Sequence, residues 1–146
     1  MTRKFILVSL SLALTVTGSV TSAAEPIIAA EILAAQETWG KGIVAIGKAH
    51  TDGGDYKAIA AGHVDTLYGY DEGAVLFKPT KAADQQFRLT EEDALSYFVG
   101  GKVGEDHGCA LQPWTAVRFE NAGIIIDSDS ATAMGNYFFT DGKTGN

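Results

Sequence analysis

Ile28, Ile32, Ala35, Trp39, Ile43 and Ile46 follow one another at steps of 4, 3, 4, 4 and 3. That is the period of one helix face sustained for five turns. A stripe this long must be covered, so it dictates a partner surface of similar length. The spacing predicts a helix over residues 27–49. Gly40 and Gly42 sit inside it, and each costs up to about 1 kcal/mol against Ala. Close approach of another backbone would explain them.

A second long apolar stretch lies near the other end. Residues 114–127 carry Val117, Phe119, Ile124, Ile125 and Ile126, and read as a long strand, bulged near Asn121-Ala122-Gly123. Asp127-Ser128-Asp129-Ser130 is a turn, and residues 131–140 read as the return strand. Tyr137 and Phe139 share one face of it; Met134 and Phe138 share the other. Apolar groups on both faces imply that both are covered. Asp141-Gly142 is a hairpin signal, and the last strand leaves an open edge.

Between these lie four shorter pieces. Tyr56, Ile59, Ala60, His63, Val64 and Leu67 mark a helix over residues 55–67, with His63 on the apolar face as a satisfied core histidine. Residues 74–78 read as a strand and 85–89 as a short extended piece, with Pro79 marking the turn between them. Thr90 is the N-cap of a third helix, Glu91, Glu92 and Asp93 fill its first turn, and Gly100-Gly101 stops it. Ala94, Leu95 and Phe98 form its core stripe and Tyr97 stands on the flank. The order helix, helix, strand, helix, strand, strand is α+β, a helical layer on a curved antiparallel sheet.

Residues 1–24 read as a removable leader. Arg3 and Lys4 precede the apolar run 5–16, which is too short to span a bilayer, and Ser22-Ala23-Ala24 offers a cleavage site before Glu25. Residues 25–146 then form one domain, soluble, in the periplasm or outside the cell. Removing the leader leaves nine basic and eighteen acidic residues, a net charge of −9. Such a domain repels phosphate backbones, so nucleic-acid binding is not expected, and nothing in the mature chain anchors it to a membrane. Cys109 is the only cysteine, a small, partly buried thiol with no disulfide partner in the chain. Glu105, Asp106, His107 and Cys109 cluster in one loop without the spacing of a zinc site. Thr51-Asp52-Gly53-Gly54-Asp55 lacks the acids of a calcium loop.

Several stretches are specific when taken together. They are Trp39-Gly-Lys-Gly-Ile-Val-Ala-Ile-Gly47, Leu67-Tyr-Gly-Tyr-Asp71, Leu76-Phe-Lys-Pro-Thr-Lys-Ala82, Gln86-Phe-Arg-Leu-Thr90 and Ala94-Leu-Ser-Tyr-Phe-Val-Gly-Gly101. Glu105-Asp-His-Gly108, Pro113-Trp114, Val117-Arg-Phe-Glu-Asn121 and Ala133-Met-Gly-Asn-Tyr-Phe-Phe-Thr140 continue the set. With them the chain resembles the bacterial and algal iota-class carbonic anhydrases. The resemblance covers nearly all of the mature chain and implies a nuclear transport factor 2-like cone wrapped around the first helix. It implies a lyase that hydrates carbon dioxide reversibly to bicarbonate, with no cofactor and no metal. A water would be held by hydroxyls, two of which match Thr80 and Tyr97. The family's third hydroxyl, a Ser in a His-His-Ser-Ser segment, has no counterpart before Asn146, so the domain is expected to be incomplete at its C-terminal end. Arg88 and Lys78 are nearby cations able to help an anion, though a solvated surface charge is the simpler reading of both. The resemblance also implies a homodimer. The alternative function is a non-catalytic small-molecule-binding or dimerisation module of the same fold.

Overall fold

The computed structural model describes residues 25–145. The expected leader, residues 1–24, lies outside them.

Helix α1 runs Ala29–Thr51, α2 Tyr56–Tyr68 and α3 Glu91–Val99. A turn of 3₁₀ helix, Cys109–Leu111, leads into the strands β1 (Trp114–Asp127) and β2 (Ser130–Asp141). Local chemistry sets the helix ends. The Glu31 carboxylate accepts from the Ile28 N–H at 2.9 Å and opens α1. Asp55 accepts from the Ala58 N–H at 3.0 Å at the start of α2, and Gly69 ends that helix in the left-handed region. The Thr90 hydroxyl accepts from the Asp93 N–H at 3.3 Å, ahead of three acidic residues in the first turn of α3.

The core lies where the helices meet. Ile43 and Ile46 of α1, Ala60 and Val64 of α2, Ala94 and Phe98 of α3, and Ala110 are all buried. β1 and β2 pair antiparallel, with Val117 opposite Phe139 and Phe119 opposite Tyr137. This hairpin covers α1. Trp39 meets Phe119, Tyr137 and Phe139 edge to face, at centroid distances of 5.8, 6.2 and 6.3 Å. The bulge falls between Asn121 and Gly123, where expected. Asn121 is tied to α1 by a reciprocal amide pair with Gln36, at 2.9 and 2.8 Å. The Ile27 N–H also reaches the Ser128 carbonyl at 2.9 Å, joining the approach to α1 to the hairpin turn.

The architecture is the expected α+β, helices packed on an antiparallel sheet, with three corrections. Residues 74–78 form no strand: only Phe77 and Arg88 pair, as an isolated bridge with the Arg88 N–H donating to the Phe77 carbonyl at 2.8 Å. Pro79 follows at once, has no N–H to donate and is buried, so the ladder stops after one rung. The glycines of α1 also differ in cause. Gly40 does meet β1, where an added Cβ would lie 3.0 Å from the Val117 Cβ and 3.3 Å from its carbonyl oxygen. Gly42 faces a side chain, because a Cβ there would come within 2.1 Å of the His63 Nδ1. His63 is buried among Trp39, Tyr68 and Phe98, as the helical pattern required. It is not satisfied, since its Nε2 has no hydrogen-bond partner among the described residues. Burial holds its pKa below the ordinary histidine value.

Candidate active site

A cleft of about 780 Å3 opens between α1, the hairpin and the segment after Phe77. Its floor is aromatic: Trp39, Phe77, Trp114, Phe119 and Phe139. Thr80 and Tyr97, seventeen positions apart in sequence, both line it. Tyr97 arrives on the flank of α3, its ring packed edge to face on Phe77 and Phe98. Thr80 arrives on the loop after Pro79. Its hydroxyl is hydrogen-bonded to that of Tyr137 on β2, so a pair of joined hydroxyls shares the cleft lining with Tyr97.

Burial pushes the Tyr97 phenol well above the usual tyrosine range. The group stays protonated at neutral pH and can donate as well as accept. It shares the cleft lining with Lys81 and the Cys109 thiol. Burial also pushes that thiol up to about 12, so Cys109 remains a neutral thiol, in line with its reading as a small, partly buried group. Neither Thr80 nor Tyr97 is placed by chance. The Ala82 N–H donates to the Pro79 carbonyl at 3.3 Å and turns the chain under Thr80. Further along the same loop, one carboxylate gathers the backbone. Glu105 accepts from the N–H groups of Ala83, Asp84 and Gln85 at 2.8, 2.9 and 2.9 Å.

Arg88 departs from expectation. It is neither a solvated charge nor a cleft cation, because its side chain is 0% exposed. Nη2 pairs with Asp106 at 2.7 Å and Glu105 at 3.3 Å, while Nη1 donates to the Gln85 carbonyl. Such a pair is costly to break from one side, since the remaining charge stays buried. Its Nε and the Asp106 Oδ2 are buried without hydrogen-bond partners among the described residues. Glu105 and Asp106, which looked like metal-ligand types in the sequence, are thus engaged as counter-charges. Among the described residues no three His, Cys, Asp or Glu side chains gather into a metal-binding set. Lys78, by contrast, is exposed and lines the cleft.

Sequence reasoning had not put Tyr137, Gln36 or Lys81 at the site. The signal for Tyr137 was present in the two-residue alternation that set it beside Phe139. Lys81 neighbours Thr80, but only the turn after Pro79 aims it into the cleft.

Comparison with known proteins places this geometry. The profile of the family described as metal-independent carbonic anhydrase matches residues 30–146. A metal-independent carbonic anhydrase from Nostoc sp. (strain PCC 7120 / SAG 25.82 / UTEX 2576) is 46% identical over 116 residues, covering 76% of this chain and 57% of that protein. This chain therefore spans a little over half the length of that curated relative. A crystal structure of the iota-carbonic anhydrase from a cyanobacterium, complexed with bicarbonate, is similar at a TM-score of 0.78 and 43% identity. That match covers 81% of this chain and 75% of the other. A profile match across most of the chain, a close relative and a shared three-dimensional structure agree: the chain belongs to the metal-independent, iota-class carbonic anhydrase family.

Proposed function

We propose that the protein catalyses the reversible hydration of carbon dioxide to bicarbonate in the cleft between α1 and the hairpin, with Thr80 and Tyr97 as catalytic residues. The observation that carries this is the convergence of Thr80, Tyr97 and Tyr137 hydroxyls on one aromatic cleft. Family membership supports it, as does the bicarbonate held by the similar cyanobacterial enzyme.

The chemistry divides simply. The oxygen of water bonds to the carbon of carbon dioxide, one C=O π pair moves onto its oxygen, one proton of the water passes to solvent, and the three-oxygen monoanion bicarbonate forms. Thr80 accepts a hydrogen bond from the attacking water while bonded to Tyr137, which fixes where the oxygen lone pair points. Tyr97, a neutral phenol that partial burial makes still harder to ionise, donates to the oxygen on which negative charge grows. The apolar floor holds the neutral substrate and excludes bulk water. Zinc lowers the pKa of a bound water from about 15.7 to about 7, roughly 12 kcal/mol of help at about 1.36 kcal/mol per unit. Neutral hydroxyls supply orientation and anion stabilisation instead, so a slower turnover than that of zinc enzymes is expected.

Stopped-flow hydration of carbon dioxide, run with and without a chelator, tests the reading. Thr80→Ala and Tyr97→Phe are each expected to lower kcat about a hundredfold, the order seen on removing one oxyanion donor. Full activity in both variants would remove these residues from the mechanism. A folded protein with no hydration activity would return the binding-module reading. From residues 1–24 we further infer a cleaved leader and a periplasmic or secreted address, which N-terminal sequencing of the exported protein would check at Glu25.

A further inference from the structure

The cleft has a charge of its own. The chain carries eighteen acidic and eleven basic residues, a net charge of −7. Against that excess, the cleft lining contains Lys78 and Lys81 and no carboxylate among the described residues. The two lysines flank Thr80 through Pro79 and stand at the same wall. Among the described residues Lys41 pairs with Glu37, Lys48 with Asp52, Lys102 with Glu92 and Asp93, and Arg88 and Arg118 with their own partners, while Lys57 and Lys143, outside the cleft, enter no ion pair. Neither cleft lysine has a carboxylate partner among the described residues. The Lys81 Nζ instead lies 5.9 Å from the centre of the Trp114 ring, where the cation keeps its charge available.

We propose that Lys78 and Lys81 make the cleft a selective entry and holding site for small inorganic monoanions, in a domain whose remaining surface repels them. The proposal rests on the carbon dioxide reading above in one respect only: the physiological anion would be bicarbonate. The physics is general. A unit charge about 7 Å away in water is worth about one RT, or about threefold in local ion concentration, and low-dielectric aromatic walls strengthen it. Two unpaired lysines without a carboxylate between them therefore enrich anions in the cleft and exclude cations. For a reversible hydration this acts on the bicarbonate side. The field draws bicarbonate in, lowers its KM and slows its departure, whereas neutral carbon dioxide is indifferent to it.

Both tryptophans of the chain, Trp39 and Trp114, line this cleft, which makes its ionic composition directly readable. Quenching of intrinsic tryptophan fluorescence by iodide, caesium and acrylamide compares an anion, a cation and a neutral probe in the same space. Iodide is expected to quench several-fold better than caesium, against the sign of the net charge, and its advantage should fall as salt is added. In Lys78→Gln/Lys81→Gln iodide quenching should drop several-fold, caesium quenching should rise and acrylamide should be unchanged. Lys78→Arg/Lys81→Arg should retain the iodide preference. Equal quenching by iodide and caesium in the native protein, or no change in the double Gln variant, overturns the proposal. A second arm measures the KM for bicarbonate, expected to rise about threefold or more in the Gln variant and to lose its salt dependence. Anion enrichment in a protein without hydration activity would sink the carbon dioxide reading and leave the anion site standing. Hydration activity without anion enrichment would do the reverse.

Discussion

Glu105 holds four groups with one side chain: three successive backbone N–H donors and the edge of a buried guanidinium. The N–H groups of Asp84 and Ala83, then Gln85 and the Arg88 side chain, bring its pKa down to about 2. A carboxyl depressed in the folded state stabilises that state fully above its unfolded pKa, about 4.5, and the contribution is lost as pH falls toward 2. We expect the amide resonances of Ala83, Asp84 and Gln85 to move together with an apparent pKa near 2, and NMR titration checks it. Movement near 4.5 would mean that the loop is not held this way. Gly42 offers a second single-residue test. Ala there gains about 1 kcal/mol of helix propensity but drives a methyl into the buried His63 ring, a clash worth about 1–3 kcal/mol. Gly42→Ala should lower stability in urea by up to about 2 kcal/mol. Gly62→Ala on α2, where nothing lies within 4 Å, should raise it by up to about 1 kcal/mol.

At the level of elements, α3 is the short helix that carries Tyr97, and its cap bears much of its definition. Thr90→Ala removes the hydroxyl that accepts from the Asp93 N–H and should cost about 1 kcal/mol in thermal or urea unfolding. That cap, the acidic first turn and the stop at Gly100 were all visible in the sequence, because capping chemistry is local. The long helix and the hairpin were visible too, since their periods of 3.6 and 2 persist over many residues and the bulge sits on a Gly-containing triplet. Residues 74–78 were misread for the opposite reason. The apolar run there met no partner strand, and pairing is decided by what lies alongside, which local pattern does not encode. Arg88 was misread likewise: its two counter-charges lie on another loop, 17 and 18 positions away. Thr80 and Tyr97 came from family resemblance, and no spacing rule would have joined a turn hydroxyl to a helix-flank phenol.

The whole molecule has two unlike sides. The inner side of the hairpin closes on α1, but its outer side leaves Ile125 73%, Met134 75% and Phe138 43% exposed. We propose that this surface joins two copies into a homodimer, which fits its breadth and the exposure of its apolar side chains. Sedimentation equilibrium should then report a dimer, and Met134→Glu/Phe138→Glu should shift it to monomer by at least tenfold in dissociation constant. A monomeric native protein would refute the assignment. The order of elements has one more effect, on timing. The apolar stripe of α1 is synthesised well before its cover, β1, about 60 residues later, and the Ile27–Ser128 hydrogen bond closes only when the hairpin turn exists. At about 5–20 residues per second the stripe waits roughly 3–12 s for that cover. During that wait the nascent chain presents a greasy helix to its surroundings. Its yield in the cell therefore depends on whatever shelters the helix in those seconds, as well as on the stability of the finished fold.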